Sequence, residues 1–176
     1  MLGQTYQVQP VPPDPDHTTY FDAGVLRIGV EYRVVDPEAL AATYDGDDLA
    51  EIEEHSPAGG FNDEGLSIHV ISVADDHEYL RFDAFDDEPH YHYVDKAAGT
   101  NTVVGFDVAA HGPVTPWALR QLRHRLDPML RQAGAAHVAD SLDDDTGALV
   151  ADLVEAHLPT IGIQVPPSAA DEATRS

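Results

Sequence analysis

Along most of this chain apolar and polar residues alternate, and near residue 115 the period changes once to that of a helix. Residues 25–35 show the first pattern best. Leu26, Ile28, Val30, Tyr32 and Val34 point one way, and Arg27, Gly29, Glu31 and Arg33 the other. Side chains on a strand alternate between its faces, so this is a strand with one buried side. Residues 66–73, 78–85, 89–94 and 102–109 read as four more strands. Between the first two, residues 37–44 and 47–55 read as short polar helices separated by Gly46, and Gly59-Gly60 releases the chain into the next strand.

Beyond Val114 the spacing is helical. Thr115 is a good N-cap and Pro116 suits the first helical position. Leu119, Leu122, Leu126, Met129 or Leu130, and Ala133 then form one apolar stripe that Gly134 ends. Pro128 is expected to kink this helix or divide it. A last helix is expected over 146–158, with Leu149, Val150, Leu153 and Leu158 inward and Pro159 as its stop. Strands first and helices after predict an α+β fold: an antiparallel sheet of about five strands, one face covered by C-terminal helices. The expected organisation is an extended N-terminal arm over 1–17, a single domain over 18–165 and a flexible tail over 166–176.

Charge narrows the setting. The chain has 32 acidic residues against 9 basic ones, a formal net charge of -23, and Lys96 is its one lysine. Acidic side chains hold water and cations, whereas a lysine stem adds exposed apolar surface. In about 1 M salt the Debye length falls to ~3 Å, which damps the self-repulsion of such a surface. This composition predicts a halophilic protein that loses compactness in low salt. A circular-dichroism melt that is indifferent to salt would overturn that expectation. The same charge argues against nucleic acid and anionic membranes as partners, since both need cationic surface. Cysteine is absent, which excludes disulfides, thiolate metal sites and cysteine nucleophiles. Residues 1–17 have neither the basic nor the apolar region of a signal peptide, so the expected location is cytoplasmic.

One stretch concentrates chemistry. Residues 81–93 read RFDAFDDEPHYHY, and Pro89 after Asp86-Asp87-Glu88 makes a turn between two strands. A loop of two or four residues sets Phe85 opposite His90 and Asp83 opposite His92. Arg81, Asp83, Phe85, His90 and His92 then share one face, and Leu80, Phe82, Ala84, Tyr91 and Tyr93 the other. The preceding strand sends Ser67, His69 and Ile71 to the face of Arg81 and Asp83, with His69 beside one of them. Arg27, Glu31, Arg33 and Asp107 can join that polar face.

Two chemistries suit such a face. His69, His90, His92 and Asp83 supply ligands for a divalent transition metal, Zn, Mn or Fe, with a position left open for water or substrate. Without metal, Asp83 and His92 make an acid–base pair beside Arg81, which clamps a small anionic ligand. The expected function is that of a small-molecule-handling protein, as a metal-dependent enzyme on a small anionic substrate. The alternative is a non-catalytic ligand-binding or homo-oligomeric assembly domain. Arg120, Arg123, Arg125 and Arg131 on one helix would serve an assembly, or would simply pair with the acidic surface.

The same thirteen residues, followed by the helix of Trp117 to Leu130, resemble an uncharacterised bacterial or archaeal domain family with an RFDxF…PHYHY strand–turn–strand motif. The likeness covers roughly residues 66–134. It implies a recognisable module and no particular activity.

Overall fold

The alternating segments pair in sequence order, as short connections favour. In the computed structural model, which describes residues 2–55 and 61–165, they form a wholly antiparallel sheet. Its strands are β1 (Gln4–Tyr6), β2 (Thr19–Ala23), β3 (Leu26–Val35), β4 (Asp63–Ser72), β5 (His77–Phe85), β6 (His90–Asp95) and β7 (Thr100–Gly105). Seven strands among the described residues replace the expected five. The two additions are too short for alternation to reveal. Their spatial order is β1-β7-β6-β5-β4-β3-β2, so β2 to β7 are a simple meander and β1 closes the far edge beside β7. The chain must therefore cross the whole sheet between β1 and β2. The expected tail over 166–176 and Gly59-Gly60 lie outside the described residues.

One sheet face carries the core. Leu26, Ile28, Val30, Leu66, Ile68, Val70, Leu80 and Phe82 are buried there. They pack with α4 (Val114–Gln132) through Leu119, Leu122, Leu126 and Leu130, and with α6 (Thr146–His157) through Val150, Ala151 and Val154. Each large apolar side chain buried this way contributes about 1.5–3 kcal/mol relative to exposure. The helical cover ends before the end of β3, where Tyr32 and Val34 are 44% and 56% exposed. Leu149 was expected inward and is 44% exposed, because Val150 and Val154 take the inner face of α6.

The helix α4 departs from expectation at its start and at Pro128. It starts at Val114, with no side-chain cap, and it runs unbroken across Pro128. Pro128 and His124, whose carbonyl loses its usual donor, are both exposed, so that carbonyl meets water. Gly134 ends it as expected, at φ 78°. The expected last strand stops at Gly105. Asp107 instead caps the short α3 (Val108–His111), accepting from the Ala110 amide at 3.0 Å. Two further helices, α1 (Pro37–Thr43) and α2 (Gly46–His55), follow β3, and α5 (Ala136–Ala139) follows α4. Leu40 of α1 joins Val35 and Phe85 in a second, smaller apolar cluster, against which Val11, Tyr44, Leu49, Ile52 and Phe61 pack.

Candidate metal centre on the polar sheet face

The sheet's other face is polar and nevertheless buried. Glu31, Arg33, Ser67, His69, Arg81, Asp83, His92 and Asn101 are each 8% exposed or less. What covers them is the segment between β1 and β2. Its prolines at 10, 12, 13 and 15 have no N–H, so this backbone offers mainly carbonyls. The sheet supplies the donors. Arg33 gives Nη1 to Val11 O (3.0 Å) and Nη2 to Pro12 O (2.6 Å), Arg81 gives Nη2 to Val11 O (2.7 Å), and Asn101 gives Nδ2 to Val8 O (3.3 Å). Glu31 completes the seam by accepting from the Asp14 amide and the Thr18 hydroxyl.

The hairpin of β5 and β6 places the motif residues on this face in a register two residues away from the expected one. Asp83 lies opposite His90 and Arg81 opposite His92. A shift of two preserves the faces, because side chains alternate with period two. The connection between the paired residues is longer than expected, running from Ala84 to Pro89, and Asp63 gathers it: its carboxylate accepts from the amides of Asp86, Asp87 and Glu88 at 2.7–3.3 Å.

Three side chains then converge. His92 Nε2 and His90 Nε2 stand 3.1 and 3.3 Å from Asp83 Oδ2, and the candidate ligand atoms of the three lie within 4.8 Å of one another. The far side of each ring is already committed. His90 Nδ1 meets Glu88 O at 2.7 Å, an acceptor only, so it carries a hydrogen. His92 Nδ1 meets Asn101 Oδ1 at 2.8 Å, and the amide is oriented by its bond to Val8 O, so this nitrogen also donates. In the neutral tautomers thus selected, both Nε2 lone pairs face the Asp83 carboxylate. Two lone pairs and an anionic oxygen pointing at one another need a proton or a cation between them. This group could hold a metal ion.

The electrostatics agree. Burial raises the Asp83 pKa, yet its close contacts with the His90 and His92 rings and the charge of Arg81 hold it well below the ordinary carboxylate value. Burial disfavours imidazolium at His90 as well, but Asp83 outweighs it and the pKa rises. At His92 burial prevails, helped by the charge of His90, and the pKa falls. Of the two rings His90 is therefore the more basic.

His69 stands apart from this group. Its Nδ1 lies 2.6 Å from Glu78 Oε1 and its Nε2 2.9 Å from Glu31 Oε1, so neither nitrogen is free to bind metal. It joins a second network instead. Glu78 receives Arg81 Nε (2.8 Å) and Nη2 (2.7 Å), and Arg33 pairs with Glu31 at 2.5 Å. Arg81 thus links the networks, while its Nη1 has no hydrogen-bond partner among the described residues.

Two contributors were not anticipated. Glu78 belongs by simple alternation to the core face, but a bulge between Val70 and Ile71 sends it to the polar face and Tyr79 into the core. Asn101 follows the alternation of Val103 and Gly105, a signal that was present and lay outside the histidine-rich stretch. The arginine-bearing helix pairs with neighbouring acids: Arg123 with Asp152, and Arg131 with Asp127 and Asp140. No helix among the described residues is long and apolar enough to cross a membrane.

A family model spans this geometry, matching residues 20–157. The chain belongs to the family described as Domain of unknown function (DUF7700). The match contains the whole of RFDAFDDEPHYHY and extends well beyond residues 66–134, from β2 to the end of α6. No curated protein and no solved structure matches the chain. In this DUF7700 domain the three candidate ligands, Asn101 and Arg81 all fall inside the matched region, whereas β1 and the proline-rich crossing precede it. A cavity of about 640 Å³ opens over the ligands, lined by Arg81, Asp83, His90, His92 and Asn101 on its floor and by the α1–α2 side on its wall.

Proposed function

We propose that this domain is a metal-dependent enzyme that holds one divalent transition metal, Zn, Mn or Fe, on His90, His92 and Asp83 and acts on a small anionic molecule. The observation that carries this reading is the convergence of two Nε2 lone pairs on Asp83 Oδ2, with both Nδ1 atoms already donating. Two histidines and a carboxylate are a ligand set used by Zn and by non-haem Fe(II), and three protein ligands leave positions open to the cavity. When bound, such an ion supplies Lewis acidity. The protein's part is to aim the ligands through Glu88 O and Asn101 and to keep bulk water from the floor with the proline-rich crossing. Arg81, fixed by Glu78, directs its remaining N–H groups at an anion in the cavity.

The test is a titration of untagged, chelator-treated protein with Zn, Mn and Fe(II) in high salt, read by elemental analysis after desalting. One tightly held ion per chain is expected for at least one of the three. Absence of retained metal, with the fold intact, would remove the metal reading.

A further inference from the structure

The cavity above the candidate ligands has two chemically different halves. Its floor carries Arg81 and the Asp83, His90 and His92 group. Its wall is the smaller apolar cluster, where Leu40, Phe85 and Phe61 present hydrocarbon, and Phe61 packs edge-on to His90 at 6.4 Å between ring centroids. About 640 Å³ is far more than an ion and its waters occupy, and falls within the range of pockets that bury whole organic ligands.

Charge on the floor fixes the sign of the ligand's head. Glu31 and Glu78 are paired with Arg33 and Arg81, and the buried Asp63 with the amides of the β5–β6 turn, which leaves Asp83 as the anion of the cavity floor. A divalent ion there outweighs the single charge of Asp83 and leaves the cavity floor net positive. Buried charge must be paired, so the ion and the open Nη1 of Arg81 both call for an oxyanion. The exposed acids at the rim, Asp87, Glu88 and Asp107, sit in water and do not supply it.

From these two halves we propose that the site takes an amphipathic organic acid. Its oxyanion lies on the metal and Arg81, and its compact apolar body lies against Phe61, Phe85 and Leu40. This rests on the metal reading above and adds the substrate class to it. Phenylacetate is a suitable probe, with acetate presenting the head alone and benzyl alcohol the body alone.

Protein loaded with Co(II), whose visible spectrum reports its coordination, should bind phenylacetate at least about 10-fold more tightly than either fragment by calorimetry. Phe61→Ala should lower phenylacetate affinity about 10-fold, towards that of acetate, and leave Co(II) affinity unchanged. If Co(II) binds and phenylacetate is no tighter than acetate, the substrate class is wrong and the metal centre stands. If Co(II) does not bind, both fall.

Discussion

Glu78→Gln is expected to cost this domain about 3–5 kcal/mol of stability and to flatten the acid side of its pH–stability curve. The Glu78 carboxylate serves two buried cationic or hydrogen-rich groups at once: it takes Nε and Nη2 of Arg81 and Nδ1 of His69. Glutamine keeps an acceptor oxygen but removes the charge, leaving the guanidinium, itself 2% exposed, without its counter-ion. Arg81 also holds Val11 O, so the loss should propagate to the crossing segment. The pH dependence gives the signature. Burial opposes the charged form of Glu78, yet Arg81 and His69 hold its pKa well below the ordinary value. A carboxylate with a depressed folded-state pKa stabilises fully above its unfolded value, near 4.3, and the contribution is lost as pH falls through the folded value. Glu31 works in the same direction through His69, Arg33 and Thr18, against its own burial. Urea melts from pH 7 to pH 3 should show stability falling steeply below about pH 5 in the parent and less steeply in the variant. Equal stability of the two proteins at pH 7 would show that Arg81 does not depend on Glu78.

The contrast between Glu78 and the motif residues shows where the sequence could and could not be read. Strict alternation over Leu80–Tyr93 assigns the correct face to Arg81, Asp83, His90 and His92 whichever even register the hairpin adopts. It cannot say which residues lie opposite one another, since that depends on the Asp63 carboxylate closing the turn from another strand. Nor can it see a bulge, which changes no residue type and reverses every assignment beyond it. Alternation alone therefore puts Glu78 on the wrong face and leaves His69 among the candidate ligands, although its nitrogens turn towards Glu78 and Glu31. The number of strands failed for a different reason. Three residues of β1 contain no period, and only the unpaired edge of β7 turns them into a strand.

The proline-rich segment is the larger lesson. As sequence it reads as an arm, because prolines remove donors and resist regular structure. In the fold the same lack of donors makes it a cover for a face rich in them. Arg33, Arg81 and Asn101 can be buried on that face because Val8, Val11 and Pro12 present carbonyls to them. The abundance of acidic residues hides such a site, because the buried Glu31, Asp63 and Asp83 are of the same residue types as the many exposed acids.

Asp83→Asn and Asn101→Ala are expected to separate ligand from orienter. Asparagine at 83 can still accept from Ser67 Oγ, which now bonds Asp83 Oδ1, but it offers the metal no negative charge. Asn101 touches no metal position. It holds His92 in the tautomer whose Nε2 is free, while its own amide is held by Val8 O. Loss of such an outer partner lowers metal affinity by about 10–100-fold, and loss of the anionic ligand should exceed that range. Competition against a chromogenic chelator measures both. His69→Gln supplies the control, since both of its ring nitrogens already face carboxylates; affinity per folded molecule should change little. A loss at His69→Gln as large as that at Asp83→Asn would place the metal in the neighbouring network and overturn the assignment to Asp83, His90 and His92. If instead Asn101→Ala weakens binding and a change of pH partly restores it, the asparagine acts through the protonation of His92. That is the role its hydrogen bonds define.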